Sequence, residues 1–203
     1  MHWGCYQTEF EFMGGALTRG SMKHLSKTML PIFIICLWAI TAQSAILPST
    51  GTVEVFFSPK GGATEAVVQE IHSARQEILV QAYSFTSKPI AKALIDAKKR
   101  GVKIDAVLDK SNVTAKYSAA TFLYNVGIPV LIDGKHTIAH NKIIIIDRST
   151  LITGSFNFSA AAENSNAENL LIIKGNQKLT DQFIRNFDQH KGHSVPYARQ
   201  GLM

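Results

Sequence analysis

The sequence predicts a layered α/β or α+β sandwich, a mixed sheet flanked by helices, and two observations carry that prediction. From Thr52 onward, short apolar runs with the period of a strand alternate with stretches whose apolar residues recur every three or four positions. The chain has 203 residues, 46% hydrophobic and 18% charged, which suits one globular core with an appendage. No internal repeat is visible.

The first segment stands apart from the rest. Residues 1–21 show no sustained apolar period and contain Gly14, Gly15 and Gly20. From Met22 the character changes: Lys23, His24 and Lys27 precede the apolar run Met29–Ile40, and Thr41-Ala42-Gln43-Ser44-Ala45 supplies small residues for cleavage. This is the layout of a secretory signal peptide, with an apolar run shorter than the ~18–20 residues of a spanning helix. The expected organisation is therefore an over-extended start at 1–21, a signal peptide at 22–45 cleaved after Ser44 or Ala45, and a single domain at 46–203. The mature protein would be periplasmic or secreted, without stable membrane association.

The elements of that domain follow in order. Val53, Val55 and Phe57 share one face of a first strand, and Ser58 to Gly62 form a turn. Ala63, Val67, Ile71 and Ala74 fall at helical spacing. Ile78 to Phe85 reads as a buried strand, after which Ser87 caps a helix with Ile90, Leu94 and Ile95 inward. Lys88, Lys92 and Lys99 line the outer flank of that helix, with Lys98, Arg100 and Lys103 nearby. They form either a phosphate-tracking stripe or a solvated face with an Asp96–Arg100 pair. Gly101 ends the helix, and Val102 to Leu108 is a third strand. A helix is expected over Ala115–Tyr124, a short strand over Ile128–Ile132 and a turn at Asp133-Gly134. Two strands joined by Asp147–Thr150 come next, then a short helical or irregular segment at Ser159–Asn164 and a strand at Asn169–Lys174. Leu179, Phe183, Ile184 and Phe187 mark a last amphipathic helix, and the tail from Gly192 is expected to be loose.

Composition narrows the function classes. The formal net charge is +6, and residues 46–203 carry 18 of the cations against 13 anions. A basic domain favours polyanionic partners such as nucleic acid or anionic lipid. The two cysteines, Cys5 and Cys36, both precede the domain, which leaves it no disulfide and no thiolate zinc site.

The chemistry concentrates in His140–Asn157, which reads HNKIIIIDRSTLITGSFN, or H-x-K-x4-D-x6-G-S-x-N. Strand parity sends His140 and Lys142 to one face and Ile143, Ile145 and Asp147 to the other. In the second strand Ser155 and Asn157 share a face opposite Phe156 and Phe158. Side by side, the two strands would bring imidazole, ammonium, hydroxyl and amide to one patch, with Asp147 left to hold the strand end or turn. Lysine supplies a fixed cation to phosphate, Ser and Asn add neutral donors, and histidine can act as nucleophile or proton carrier near neutral pH.

No carboxylate cluster accompanies them, which argues against Mg²⁺ or a two-metal mechanism. His136 and His140 have the spacing of a helical zinc pair, but the isoleucine run makes this segment strand. His190 and His193 read as tail residues and His72 as a surface helix residue, so no metal or other cofactor is expected. Cleavage through a covalent histidine needs both a nucleophile and an acid for the leaving oxygen, and a single such histidine is present. A two-fold homodimer that brings two copies of the patch together supplies both.

The motif His140-x-Lys142-x4-Asp147 with Gly154-Ser155-x-Asn157 resembles the HKD signature of the phospholipase D superfamily. The single motif, short chain and GSFNFSAAAENSNAEN run resemble its bacterial Nuc-type endonuclease branch across residues 50–190. The resemblance implies an α-β-α sandwich and a homodimer with the active site at its interface. It also implies a phosphohistidine on His140 and a protonating His140 from the other subunit. Lys142 and Asn157, with Ser155 in support, would hold the phosphoryl oxygens, and Glu168 would orient the histidine through a hydrogen bond. No metal is implied. Three readings follow: a non-specific endonuclease acting on DNA, with RNA as a second substrate; a phospholipase D-type lipid hydrolase; and a non-catalytic nucleic-acid-binding module.

Overall fold

The computed structural model describes residue 47 and residues 49–198, so the expected segments 1–21 and 22–45 lie outside the described residues. One eight-stranded sheet organises what is described, in the order β1-β7-β6-β5-β2-β3-β4-β8. Its strands are β1 (Thr52–Ser58), β2 (Glu77–Ala82), β3 (Lys103–Asp109), β4 (Val130–Asp133), β5 (Lys142–Ile146), β6 (Thr150–Gly154), β7 (Glu168–Lys174) and β8 (Val195–Pro196). Only β2-β3-β4 run parallel, and each parallel step is bridged by helix: α2 (Lys88–Lys99) in the first, α3 (Ser111–Thr114) and α4 (Ala120–Asn125) in the second. The remaining helices are α1 (Ala63–Ser73), α5 (Ala160–Asn164) and α6 (Gln177–His193). Among the described residues no helix is long and apolar enough to cross a membrane.

Two cores lie on the two faces of the sheet. Ile78, Val80, Ile104, Ala106, Ile144 and Ile146 pack into the larger one with Val67 and Ile71 of α1, Ile90 and Leu94 of α2 and Leu123 of α4. Leu79, Val107, Ile143, Ile145 and Leu151 form the smaller one with Ile184 and Phe187 of α6. The described domain is thus helix, sheet, helix, the mixed α/β arrangement expected. Because β5 is covered on both faces, its isoleucines are all buried and the run shows no polar alternation.

Four local expectations are corrected. The helix expected over Ala115–Tyr124 is shortened to α4, Ala120–Asn125, with residues 115–119 outside any helix. There Ser118 Oγ donates to Asn112 Oδ1 (3.0 Å) and accepts from Ala120 N (3.1 Å), a local network that competes with helical bonding. Asp96 pairs with Lys92 (2.6 Å) and Lys99 (3.4 Å) rather than with Arg100, whose guanidinium donates to Ile71 O (3.0 Å). The tail is not loose at Gly192: α6 continues to His193, β8 pairs with β4, and Tyr197 is buried with its hydroxyl 2.8 Å from Thr121 Oγ1. Finally, β5 begins at Lys142 and β6 ends at Gly154, so His140, Ser155 and Asn157 stand just beyond the strand ends.

Candidate active site

Register brings the motif residues together. Strand β5 runs antiparallel to β2 with Lys142 opposite Ala82, so the start of β5 lies beside the end of β2. Strands β6 and β7 pair with Gly154 opposite Leu170, which sets the end of β6 beside the start of β7. His140, Lys142, Ser155, Asn157 and Glu168 therefore gather at one end of the sheet, with Tyr83 joining them from the end of β2.

Lys142 is 6% exposed, and its Nζ donates to His140 O at 2.8 Å. The ammonium also lies 5.2 Å from the centroid of the Tyr83 ring, within cation–π range. Burial holds its pKa below the usual lysine range, and the charge of Glu168 pulls it partly back. An ammonium stripped of water in this way gains more from an incoming anion than a solvated one does. His140 itself is exposed, its ring 4.6 Å from that of Tyr83 and tilted by 51°. Among the described residues neither of its ring nitrogens is hydrogen-bonded, so both are free for proton or phosphorus chemistry.

The Ser155–Phe158 segment is held from below. Phe156 and Phe158 are buried, Phe158 packs edge-on to Phe85 with centroids 5.8 Å apart, and Phe158 O accepts from Thr86 N and Ser87 N. Gly154 lets β6 turn into this segment. It sits at φ 149°, and a Cβ there would fall 2.3 Å from Asn169 O, a contact no other residue can make. Ser155 Oγ accepts from Asn169 N at 3.0 Å, which leaves its own proton free to donate. Asn157 keeps its side-chain Oδ1 buried without a partner. An unsatisfied buried acceptor costs on the order of 1–3 kcal/mol, and such costs are tolerated where function needs the group.

The other two residues behave differently. Glu168 Oε1 accepts from Asn166 Nδ2 at 3.1 Å, and among the described residues it makes no hydrogen bond to His140. Within one chain it acts on Lys142 through its charge. Asp147 stands at the opposite end of β5, about five strand steps or roughly 16 Å from Lys142. Its carboxylate accepts from the backbone N–H of Arg75 (2.8 Å), Gln76 (2.8 Å) and Glu77 (3.0 Å), which fastens the α1–β2 turn to the β5–β6 turn.

Sequence reasoning missed Tyr83, Asn169 and Asp109. Asp109 is buried, and its Oδ2 accepts from Ala139 N at 2.8 Å, which fixes the backbone next to His140. Tyr83 could have been found as the polar-tipped aromatic just beyond an otherwise apolar strand. Asn169 and Asp109 carry no comparable signal.

The chain matches the family model described as "Cardiolipin synthase, PLD-like domain" over residues 67–191. It is 42% identical over 150 residues to a protein of Rickettsia typhi named "Phospholipase D", covering 73% of each chain. Among solved structures it resembles the phospholipase D family member Nuc from Salmonella typhimurium, with TM-score 0.70 and 40% identity over 73% of this chain and 99% of that one. It also resembles NucT from Helicobacter pylori, with TM-score 0.67 and 25% identity over 73% of this chain and all of that one.

Proposed function

The chain belongs to the phospholipase D superfamily of phosphodiesterases, and on that premise we propose that it is a non-specific endonuclease that hydrolyses DNA, and RNA second, through a phosphohistidine. One observation carries this: an exposed His140 with both ring nitrogens free, set against a desolvated Lys142, at the sheet end that also holds Ser155 and Asn157. His140 attacks phosphorus, and the phosphoryl charge is held by Lys142, Asn157 and Ser155. A second histidine protonates the departing oxygen, then takes a proton from the water that releases the phosphate. Needing no ion for these steps, the reaction runs on side chains alone.

The second histidine is His140 of the partner subunit in a two-fold dimer. The face of β1 supports that assembly: Val53, Val55 and Phe57 are 56%, 50% and 66% exposed, and Phe57 pairs with Asn169, next to Glu168. An apolar strip this open, continuous with an incomplete site, is suited to burial against a second copy. In the dimer Glu168 has a further histidine to orient. Export through the 22–45 leader would place the 46–203 domain in the periplasm or outside the cell.

The name of the Rickettsia relative favours a second reading, hydrolysis of phospholipid headgroups by the same residues. The net positive charge and the resemblance to single-motif endonucleases favour nucleic acid. Incubating the purified protein with plasmid DNA, RNA and labelled phospholipid vesicles decides between them. Cleavage of DNA that His140→Ala abolishes is the expected result; hydrolysis of lipid alone would sink the nuclease reading. Sedimentation tests the shared site, because an active monomer cannot be reconciled with it.

A further inference from the structure

Four side chains that the phosphodiester site does not use converge at the far end of the loop leading to His140. Asp133 ends β4, His136 follows in the β4–β5 loop, and His190 and His193 occupy the last turn of α6. Asp133 is fully buried. Its Oδ1 accepts the backbone N–H of Lys135 (3.1 Å) and of His136 (3.4 Å). Its Oδ2 faces a ring nitrogen from each histidine: Nδ1 of His190 at 2.7 Å, Nδ1 of His136 at 2.9 Å and Nε2 of His193 at 3.2 Å. The three rings crowd together with centroids 4.8, 5.2 and 5.4 Å apart.

Hydrogen bonding does not account for this arrangement. His136 Nδ1 also lies 3.1 Å from Oδ1, so two backbone and three imidazole nitrogens crowd a carboxylate with about four lone-pair sites, one more than hydrogen bonding can serve. The shortfall is visible, since His193 Nε2 is buried with no hydrogen-bond partner despite its approach to Oδ2. A cation among the four groups turns the same inward-facing lone pairs into ligands.

The dimensions fit. Tetrahedral zinc with Zn–N and Zn–O bonds of about 2.0–2.2 Å sets its ligand atoms roughly 3.3–3.6 Å apart. Here the four ligand atoms lie within 4.8 Å of one another, so modest side-chain rotations close the shell. Three imidazoles and one carboxylate, without thiolate, favour zinc and similar borderline cations over Mg²⁺ or Ca²⁺. The backbone N–H bonds to Oδ1 aim Oδ2 inward, the supporting bonds expected around a ligating carboxylate.

We propose that Asp133, His136, His190 and His193 bind one zinc-type divalent cation that fastens the end of α6 to β4 and to the loop presenting His140. Four protein ligands leave no open position, so the ion is structural. That loop is then fixed at both ends, by the cation at His136 and by Asp109 at Ala139. The inference stands apart from the phosphodiester reading, because its ligands lie outside the catalytic set.

The test uses the tag-free full chain and zinc or cobalt(II) as probes. After dialysis the wild type is expected to retain about one zinc per chain by mass spectrometry. EDTA is expected to lower its melting temperature by on the order of 5–10 °C, and zinc to restore it. Cobalt(II) is expected to give the intense visible bands of a four-coordinate site. His193→Gln and His136→Gln should each lose the metal and the bands; His136 is partly exposed in a loop, so its variant keeps the fold testable. A melting temperature that zinc does not move, or variants that still bind one zinc with unchanged bands, would overturn the proposal and leave a cluster that binds protons only. Loss of all phosphodiester cleavage in a zinc-free but folded protein would overturn the structural role.

Discussion

The two ends of β5 carry members of one motif and are built on opposite principles. At the Asp147 end every oxygen has work: the carboxylate accepts three backbone N–H groups and joins two turns. At the Lys142 end groups are left unsatisfied. Among the described residues an ammonium is desolvated, an imidazole has neither ring nitrogen hydrogen-bonded, and an amide oxygen is buried alone. Saturated polar groups stabilise a fold, whereas unsaturated ones hold back interaction energy for a ligand. Sequence proximity within a motif therefore does not imply shared purpose.

The contrast can be broken most sharply at His140. His140→Ala is expected to cut phosphodiester turnover roughly 10⁴-fold or more while the melting temperature stays within a degree or two, since the ring is exposed beside Tyr83. A large loss of stability would show that the unsatisfied end is structural after all. Lys142→Met comes next. Turnover should fall about 10²–10³-fold, yet the fold should hold or gain stability, because a buried cation is replaced by an apolar chain of similar length. Paired turnover and denaturant measurements would reveal a failure of either half.

Asp147→Ala should invert the pattern. It removes three hydrogen bonds to a charged acceptor and is expected to destabilise by about 2–3 kcal/mol, while turnover per folded molecule stays near wild type. A specific loss of turnover in folded protein would merge the two ends into one unit. The smallest effect is expected from Glu168→Gln. Glu168 raises the Lys142 pKa against the lowering caused by burial, so neutralising it lets Lys142 lose its proton at lower pH. The alkaline limb of the kcat/KM profile should move to lower pH. An unmoved limb would mean that Glu168 acts on something other than Lys142.

Much of this was readable in the sequence, for identifiable reasons. The β-branched runs at Ile78–Val80, Val102–Leu108 and Ile143–Ile146 announce buried strands whatever surrounds them, and the motif spacing picks out residues that the fold gathers at one sheet end. Parity separates Asp147 from His140 and Lys142, although in three dimensions the length of β5 separates them as much as its pleat. Other features depend on tertiary context. The break in the expected 115–124 helix follows from Asn112 reaching Tyr83 O and Asp109 O, bonds set by where β2 and β3 end. The histidine cluster was invisible because α6 must dock beside β4 before His190 and His193 meet Asp133, 57 residues away in the case of His190. Those two histidines, read as tail, instead lie in the last turn of α6 with a ring nitrogen of each within 3.2 Å of Asp133 Oδ2.

The pairing of β1 with β7 sets a schedule for the whole protein. Thr52 and Lys174 are partners, so the first strand described has no neighbour until nearly the whole domain exists. On a chain emerging from its N-terminus, β2 and β3 can meet early, while β1 must wait for a strand that arrives more than a hundred residues later. Pairings of that separation form slowly. Glu168 opens the late strand, and Ser155 is anchored to Asn169 on it. Assembly of the candidate site thereby waits on a strand made late in synthesis, a delay written into connectivity alone.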